Sequence, residues 1–318
     1  MNAHQITWFF PGQGSQKVGM GQMLSQAHPL AQQTFEEADD LLGMALSKLM
    51  FHGPKELLDD TINTQPALYV HSIALLRVAK AEGWLPLASW VAGHSMGEYS
   101  ALTAAGALPF ADGLKLVRER GRLMKTAGEY APGSMAAIIR LDEEKVAELC
   151  AEASRDGELV QIANYNCPGQ LVISGTKKGV ARACKTAKAA GARKVVPLDV
   201  SIGAHTPLMA HAMSDLASLI EKADIQDAKI PIIGNVNAEP LYRANEIRQE
   251  LLTQLMACVR WTNSMRFLVA QGVTSVIEIG AGKVLTGLMK RIHRKITRYN
   301  LATWQDLLAL AKNKRSTT

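Results

Sequence analysis

Aromatic residues make up only 5% of this 318-residue chain, and its basic residues are not interleaved with them. A surface that stacks bases needs both together, so nucleic acid is a poor fit as a partner. Cysteine is scarce too: Cys150, Cys167, Cys184 and Cys258 lie far apart and never as C-x-x-C. That spacing argues against a zinc site or a disulfide framework and fits reduced thiols. No run approaches the roughly 18 uninterrupted apolar residues of a membrane-spanning helix, so no membrane role is expected. The first residues, MNAHQITWFFPGQGSQ, have no basic segment ahead of their short apolar run. A secretory signal is therefore not expected, and a cytoplasmic location is. Nucleotide signatures fail at specific positions. In Gly12-Gln13-Gly14 the third glycine of a dinucleotide fingerprint is Lys17. In Gly280-Ala281-Gly282-Lys283 the leading glycine position of a phosphate loop is Ile277, and Val284 stands where Ser or Thr should.

What remains is an ordinary globular balance, 47% hydrophobic and 20% charged. The net charge of +6 owes much to a late cluster of Lys290, Arg291, Arg294, Lys295, Arg298, Lys312, Lys314 and Arg315. Such a cluster is either a solvated basic end or a docking surface for an acidic partner. Ile6–Phe10 reads as a strand ending at Pro11-Gly12. Segments 28–43, 66–82, 97–106 and 112–127 have helical apolar spacing, and Trp90–Gly93 is a short apolar run. Strands alternating with helices predict a mainly parallel sheet covered on both faces. From Pro132-Gly133 the order becomes β-α-β-β-α-β: Ser134–Leu141, Asp142–Ser154, Val160–Asn166, Gln170–Ser174, Lys177–Ala190 and Lys194–Ser201. This is the split βαβ pattern of ferredoxin-like subdomains. The expectation is an α/β-hydrolase-like domain (1–129 and 202–318) carrying a ferredoxin-like insert at 130–201. A further strand is expected at Val276–Ile279.

Gly93-His94-Ser95-Met96-Gly97 matches G-x-S-x-G, the sharp strand-to-helix turn that presents a serine hydroxyl at a helix N-terminus. Free N–H groups there suit a developing oxyanion. The apolar run before it and the helical pattern after it give Ser95 the right context for a nucleophile. A base is needed, and eight histidines are available. His94 adjoins Ser95, but neighbouring side chains on such a turn diverge, so it is expected to line the pocket or support the loop. His205 lies where the chain re-enters the main domain, a good place for a base, though the residues alone leave it one of several. Asp199 is a candidate third member; a dyad oriented by a backbone carbonyl is equally allowed. Arg118, Arg120 and Arg122 share one helix. At most one or two can face a pocket, and solvated arginines are expected for the rest. A buried one is suited to gripping a substrate carboxylate.

Together these motifs resemble the malonyl-CoA:acyl-carrier-protein transacylases and the acyltransferase domains of polyketide synthases. The resemblance runs through FPGQGSQ (10–16), TQPAL (64–68), GHSMGEYSAL (93–102), RGRLM (120–124), GSMAAII (133–139), NYNCPGQ (164–170), His205–Met209, VRWT (259–262) and GAGKVLTGLMKR (280–291). It implies transfer of a malonyl group from malonyl-CoA to the phosphopantetheine thiol of an acidic, transiently bound acyl carrier protein. The mechanism implied is ping-pong through a Ser95 acyl-enzyme, with His205 as base, no metal, no cofactor and a monomeric enzyme. By the same resemblance the backbone N–H groups of Gln13 and Met96 form the oxyanion hole, and Arg120 holds the malonyl carboxylate. Asn166 helps to order the site, and a backbone carbonyl near Arg260 orients His205. Leucine is frequent where Met96 stands. Ile202-Gly203-Ala204, ahead of His205, matches neither the usual malonyl nor the usual methylmalonyl pattern of the polyketide relatives. The alternatives are a hydrolase using the same Ser95–His205 pair and a non-catalytic subunit that docks a carrier protein.

Overall fold

A computed structural model of the chain describes residues 5–315, so His4 lies outside the described residues, as do the side chains of Lys314 and Arg315. Among the described residues ten strands form two sheets. The first contains β1 (Gln5–Phe10), β2 (Trp90–Gly93), β7 (Ile232–Ile233), β8 (Pro240–Leu241), β9 (Val273–Ile279) and β10 (Thr297–Leu301), in the order β10-β9-β1-β2-β7-β8. All neighbours pair in parallel except β7 with β8. Val91, Ala92, Phe9 and Phe10 are fully buried, as strands covered on both faces must be.

The second sheet is antiparallel: β3 (Gly133–Ile139), β4 (Val160–Cys167), β5 (Gln170–Thr176) and β6 (Lys194–Pro197), in the order β4-β5-β3-β6. The helices Glu143–Ala153 and Lys177–Ala189 complete the expected β-α-β-β-α-β sequence and pack Val146, Leu149, Val180 and Ala183 against Ile138, Ile162 and Ile173. The fold class is thus α/β, with a small antiparallel sheet beside the larger one. β6 ends four residues earlier than expected. Leu198 N–H still reaches Met135 O at 2.9 Å, but from there the chain leaves the sheet and Leu198, Asp199 and Val200 line a cavity.

The helix expected at 66–82 starts at Thr61, capped by Asp60, and carries Pro66 inside it. A proline there lacks the N–H that would bond Ile62 O. Arg118 supplies the missing donor, Nη1 to Ile62 O at 2.9 Å and to Asn63 Oδ1 at 2.6 Å. Arg118 is therefore a structural brace and not a solvated arginine. Arg122 does fit that description, exposed and paired with Glu119. Three short helices between Gln22 and Asp59 escape sequence reading because each spans two turns or fewer.

Candidate active site

The turn after β2 forces its own geometry. A Cβ on Gly93 would lie 2.0 Å from the Gly97 carbonyl carbon, and one on Gly97 would lie 2.2 Å from Phe10 O. Only glycine allows strand, turn and helix to approach so closely. Between them Ser95 sits at φ 53°, a left-handed conformation that costs a non-glycine residue of order 1 kcal/mol or more. His205 shares the feature, at φ 61°. Both strained residues meet: Ser95 Oγ lies 2.9 Å from His205 Nε2.

His205 is 3% exposed, and its Nδ1 lies 3.0 Å from both Gln254 O and Ala257 O. Two carbonyls can only accept, so Nδ1 carries the proton and Nε2 presents its lone pair to the serine hydroxyl. Burial, and then the charge of Arg120, push the His205 pKa down to about 3, so the ring is neutral at physiological pH. The orienting carbonyls are those of Gln254 and Ala257, not that of Arg260. The Arg260 carbonyl instead accepts from Ser264 in the first turn of the following helix, and Arg260 does not line the cavity. Asp199 lines the cavity but is not a partner of His205 Nδ1, whose contacts are both main-chain.

Arg120, on the helix Phe110–Tyr130, is 1% exposed. Its Nη2 donates to Ser95 Oγ at 3.1 Å and to Gln254 Oε1 at 3.1 Å, and its Nη1 to Gln65 Oε1 at 2.8 Å. Its Nε has no partner among the described residues. With Nη1 also reaching Met124 Sδ at 3.3 Å, a cation is thus held at the Ser95 hydroxyl with one donor unspent. Gly12 packs so tightly on the elbow that a Cβ there would lie 2.6 Å from His94 O. This sets Gln13 beside the turn; its side chain accepts from Thr61 Oγ1 at 2.9 Å. Neither the Gln13 nor the Met96 N–H has a hydrogen-bond partner among the described residues. Two free donors beside a nucleophile are what an oxyanion hole requires. Asn166 Oδ1 lies 2.9 Å from His94 Nε2, and the His94 ring tilts against Trp261. Asn164 and Asn166, two apart on β4, face the cavity together. Ser95, His205, Arg120, Gln13, Met96, His94 and Asn166 all line one cavity of about 580 Å³.

Residues 7–309 match the acyl transferase domain family. The malonyl CoA-acyl carrier protein transacylase of Bacillus subtilis (strain 168) is 46% identical over 292 residues, 92% of each chain. The chain belongs to the malonyl CoA-acyl carrier protein transacylases. It is an acyltransferase. The Escherichia coli (strain K12) transacylase is 44% identical over 293 residues, 92% of this chain and 94% of that one. Among solved structures, the Coxiella burnetii transacylase superposes with a TM-score of 0.93 at 40% identity over 97% of each chain. A malonyl-transacylase in complex with its type II PKS acyl-carrier protein gives 0.94 at 41% identity, over 97% of this chain and 99% of that one.

In this transacylase, sequence reading missed the residues under the turn. Ser95 N–H donates to Asn235 Oδ1 at 2.8 Å, and Asn235 Nδ2 donates to Gly93 O and Glu98 Oε1, both at 2.8 Å. Gln254 Nε2 donates to Ser95 O at 2.9 Å and to Glu98 Oε2 at 2.7 Å. A backbone N–H can only donate and a backbone carbonyl only accept, so Ser95 itself fixes which way both amides point. Asn235 and Gln254 stand outside every motif that carried the resemblance, and nothing in their local sequence marks them.

Proposed function

We propose that the enzyme transfers a malonyl group from malonyl-CoA to the phosphopantetheine thiol of an acyl carrier protein, by a ping-pong route through Ser95. The observation that carries this reading is the buried Arg120 guanidinium, 3.1 Å from the serine hydroxyl. A neutral acyl chain has no use for a cation there; a carboxylate one methylene from the thioester does.

Ser95 Oγ attacks the thioester carbonyl as its proton passes to His205 Nε2. The carbonyl oxygen becomes an oxyanion held by the N–H groups of Gln13 and Met96. Collapse breaks the C–S bond, and the coenzyme A thiolate leaves with the proton from His205. The phosphopantetheine thiol then repeats the sequence in reverse on the Ser95 ester. The malonyl carboxylate takes over the Arg120 donor now spent on Ser95 Oγ. Neither half-reaction needs a metal or a cofactor of the enzyme's own. The carrier-bound relative supports the acceptor: that protein was solved with its type II PKS acyl-carrier protein. Pathway, whether fatty-acid or polyketide, is set by the carrier that is loaded.

Intact-mass spectrometry tests the reading. Malonyl-CoA is expected to add one malonyl group to the wild type and none to Ser95→Ala, and carrier protein is expected to remove it. Release to water as fast as to carrier would make the enzyme a hydrolase. A protein that binds carrier while Ser95 resists acylation would be a docking subunit.

A further inference from the structure

Glu98 follows the nucleophile by one helical turn, is 0% exposed, and has no part in the chemistry above. Every nitrogen in reach of its carboxylate is a donor: Asn235 N at 3.0 Å, Asn235 Nδ2 at 2.8 Å and Gln254 Nε2 at 2.7 Å. Beyond those donors lie the two things the reaction must hold still. Asn235 takes the Ser95 N–H and Gln254 the Ser95 carbonyl, so both backbone groups of the strained residue are clamped from below. The far end of the Gln254 amide accepts from Arg120 Nη2. Gln254 thus bridges a buried cation and a buried carboxyl through one amide.

We propose that Glu98 is a positioning residue for malonyl recognition, locking the Ser95 backbone and the Arg120 guanidinium into one unit through Asn235 and Gln254. The proposal rests on the reading of Ser95 as nucleophile and Arg120 as carboxylate ligand. Glu250, four residues before Gln254 on the same helix, completes the acceptor set. It takes Asn235 N–H at 2.6 Å and Val236 N–H at 2.8 Å. Burial, and then the charge of Glu250, raise the Glu98 carboxyl well above the usual carboxylate range. Arg120 has no direct acidic partner among the described residues.

Glu98→Gln changes almost no volume but must aim an NH2 at a donor whichever way it turns. Relief comes only if Gln254 flips, which turns its own NH2 toward Arg120 and releases Ser95 O. The preference for malonyl- over acetyl-CoA, as a kcat/KM ratio in single-turnover loading of Ser95, is expected to fall about 10- to 100-fold. The KM for malonyl-CoA should rise while thermal unfolding stays within a few degrees of wild type. Because the effect runs through Gln254, adding Glu98→Gln to Gln254→Met should change the preference little further. Should Glu98→Gln fail to fold, the exchange Glu98→Gln with Gln254→Glu carries the test. It restores one donor and one acceptor between the positions and gives Arg120 a carboxylate, but leaves Ser95 O without its donor. Preference should survive in it while turnover drops. Equal loss of malonyl and acetyl loading in Glu98→Gln, or additive effects with Gln254→Met, would overturn the proposal and leave Glu98 a fold-holding residue. The wild type run alongside separates the two ideas: if it takes no malonyl on Ser95, the underlying reading fails first.

Discussion

The floor and the wall of the cavity are built on opposite plans. The floor comes from the larger sheet (the β1 and β2 turns, the loop after β7 that holds Asn235, and the helix ending in Gln254) together with Arg120 and His205, which bond to Ser95 and Gln254. Its polar groups bond chiefly to one another, and its two reacting residues both sit at positive φ. The wall comes largely from the smaller sheet and the chain that leaves it. It offers Met135, Val172, Leu198, Val200 and Ile202 with Asn164 and Asn166 among them. One surface is a closed hydrogen-bond network, costly to perturb at any member. The other is a mostly apolar lining, where a substitution changes shape more than chemistry. Reaction should therefore be lost through the floor and merely tuned through the wall.

The largest effect expected from the floor after loss of the nucleophile is that of His205→Ala. Single-turnover loading of Ser95 by malonyl-CoA should slow by about 10²- to 10⁴-fold, the usual worth of a positioned base. Binding of malonyl-CoA, followed by calorimetry, should change far less, because in the proposed mechanism His205 handles the reacting proton and not the carboxylate. A comparable loss of binding would mean that the ring shapes the pocket. Next comes Arg120→Ala, expected to lower malonyl loading about 10- to 100-fold more than acetyl loading. Equal losses would remove Arg120 from carboxylate recognition and reduce it to a brace between Gln65, Gln254 and Ser95.

Legibility in the sequence follows the same divide. The residues alone left His205 one of several histidines and Arg120 one of three arginines, and the family resemblance singled them out. Ser95, by contrast, could be named from its glycine-flanked turn, whose backbone geometry is local. The β-α-β-β-α-β order was equally readable, since its strands and helices follow each other without interruption. The carbonyls that orient His205 were not. They lie 49 and 52 residues downstream and belong to Gln254 and Ala257, while the resemblance implied a carbonyl near Arg260. A main-chain acceptor carries no side-chain signature, so only the path of the chain could locate it. Asn235 and Glu98 illustrate the same limit: 137 residues separate them, and their bond depends on how β2 and β7 lie side by side. The helix expected from residue 66 in fact starts at Thr61: the Ile62 carbonyl that Pro66 leaves without an N–H is satisfied by Arg118 from a different helix.

Wall residues should give smaller effects. Asn166→Ala removes the partner of His94 Nε2 and opens space beside it. Loss of one neutral hydrogen bond at a part-buried site is worth about 0.5–1.5 kcal/mol, hence a fall of about tenfold or less in kcat/KM. Because neither Ser95 nor Arg120 bonds to Asn166, malonyl and acetyl loading should fall together. A malonyl-selective loss would show that the wall reads the carboxylate as well, and the contrast with the floor would collapse.

The subtlest expectation concerns pH. In the wild type His205 is held near 3, first by burial and then by the Arg120 cation. A base must be unprotonated to act, so loading should hold steady as pH falls from about 8 to about 5, declining only near the ring's own pKa. Replacing Arg120 by alanine removes the second cause. A cation disfavours protonation of a neighbouring imidazole, so its removal raises the His205 pKa toward the ordinary 6.5 and moves the acid limb up with it. Burial stays, so the limb should remain below that ordinary value. Acetyl-CoA is the substrate to use, since it binds without Arg120 and reports the base alone. A limb that rises in Arg120→Ala but not in Asn166→Ala would show that charge on the floor, and not the shape of the wall, sets the strength of the base. Equal limbs in both variants would mean that burial alone holds His205 down.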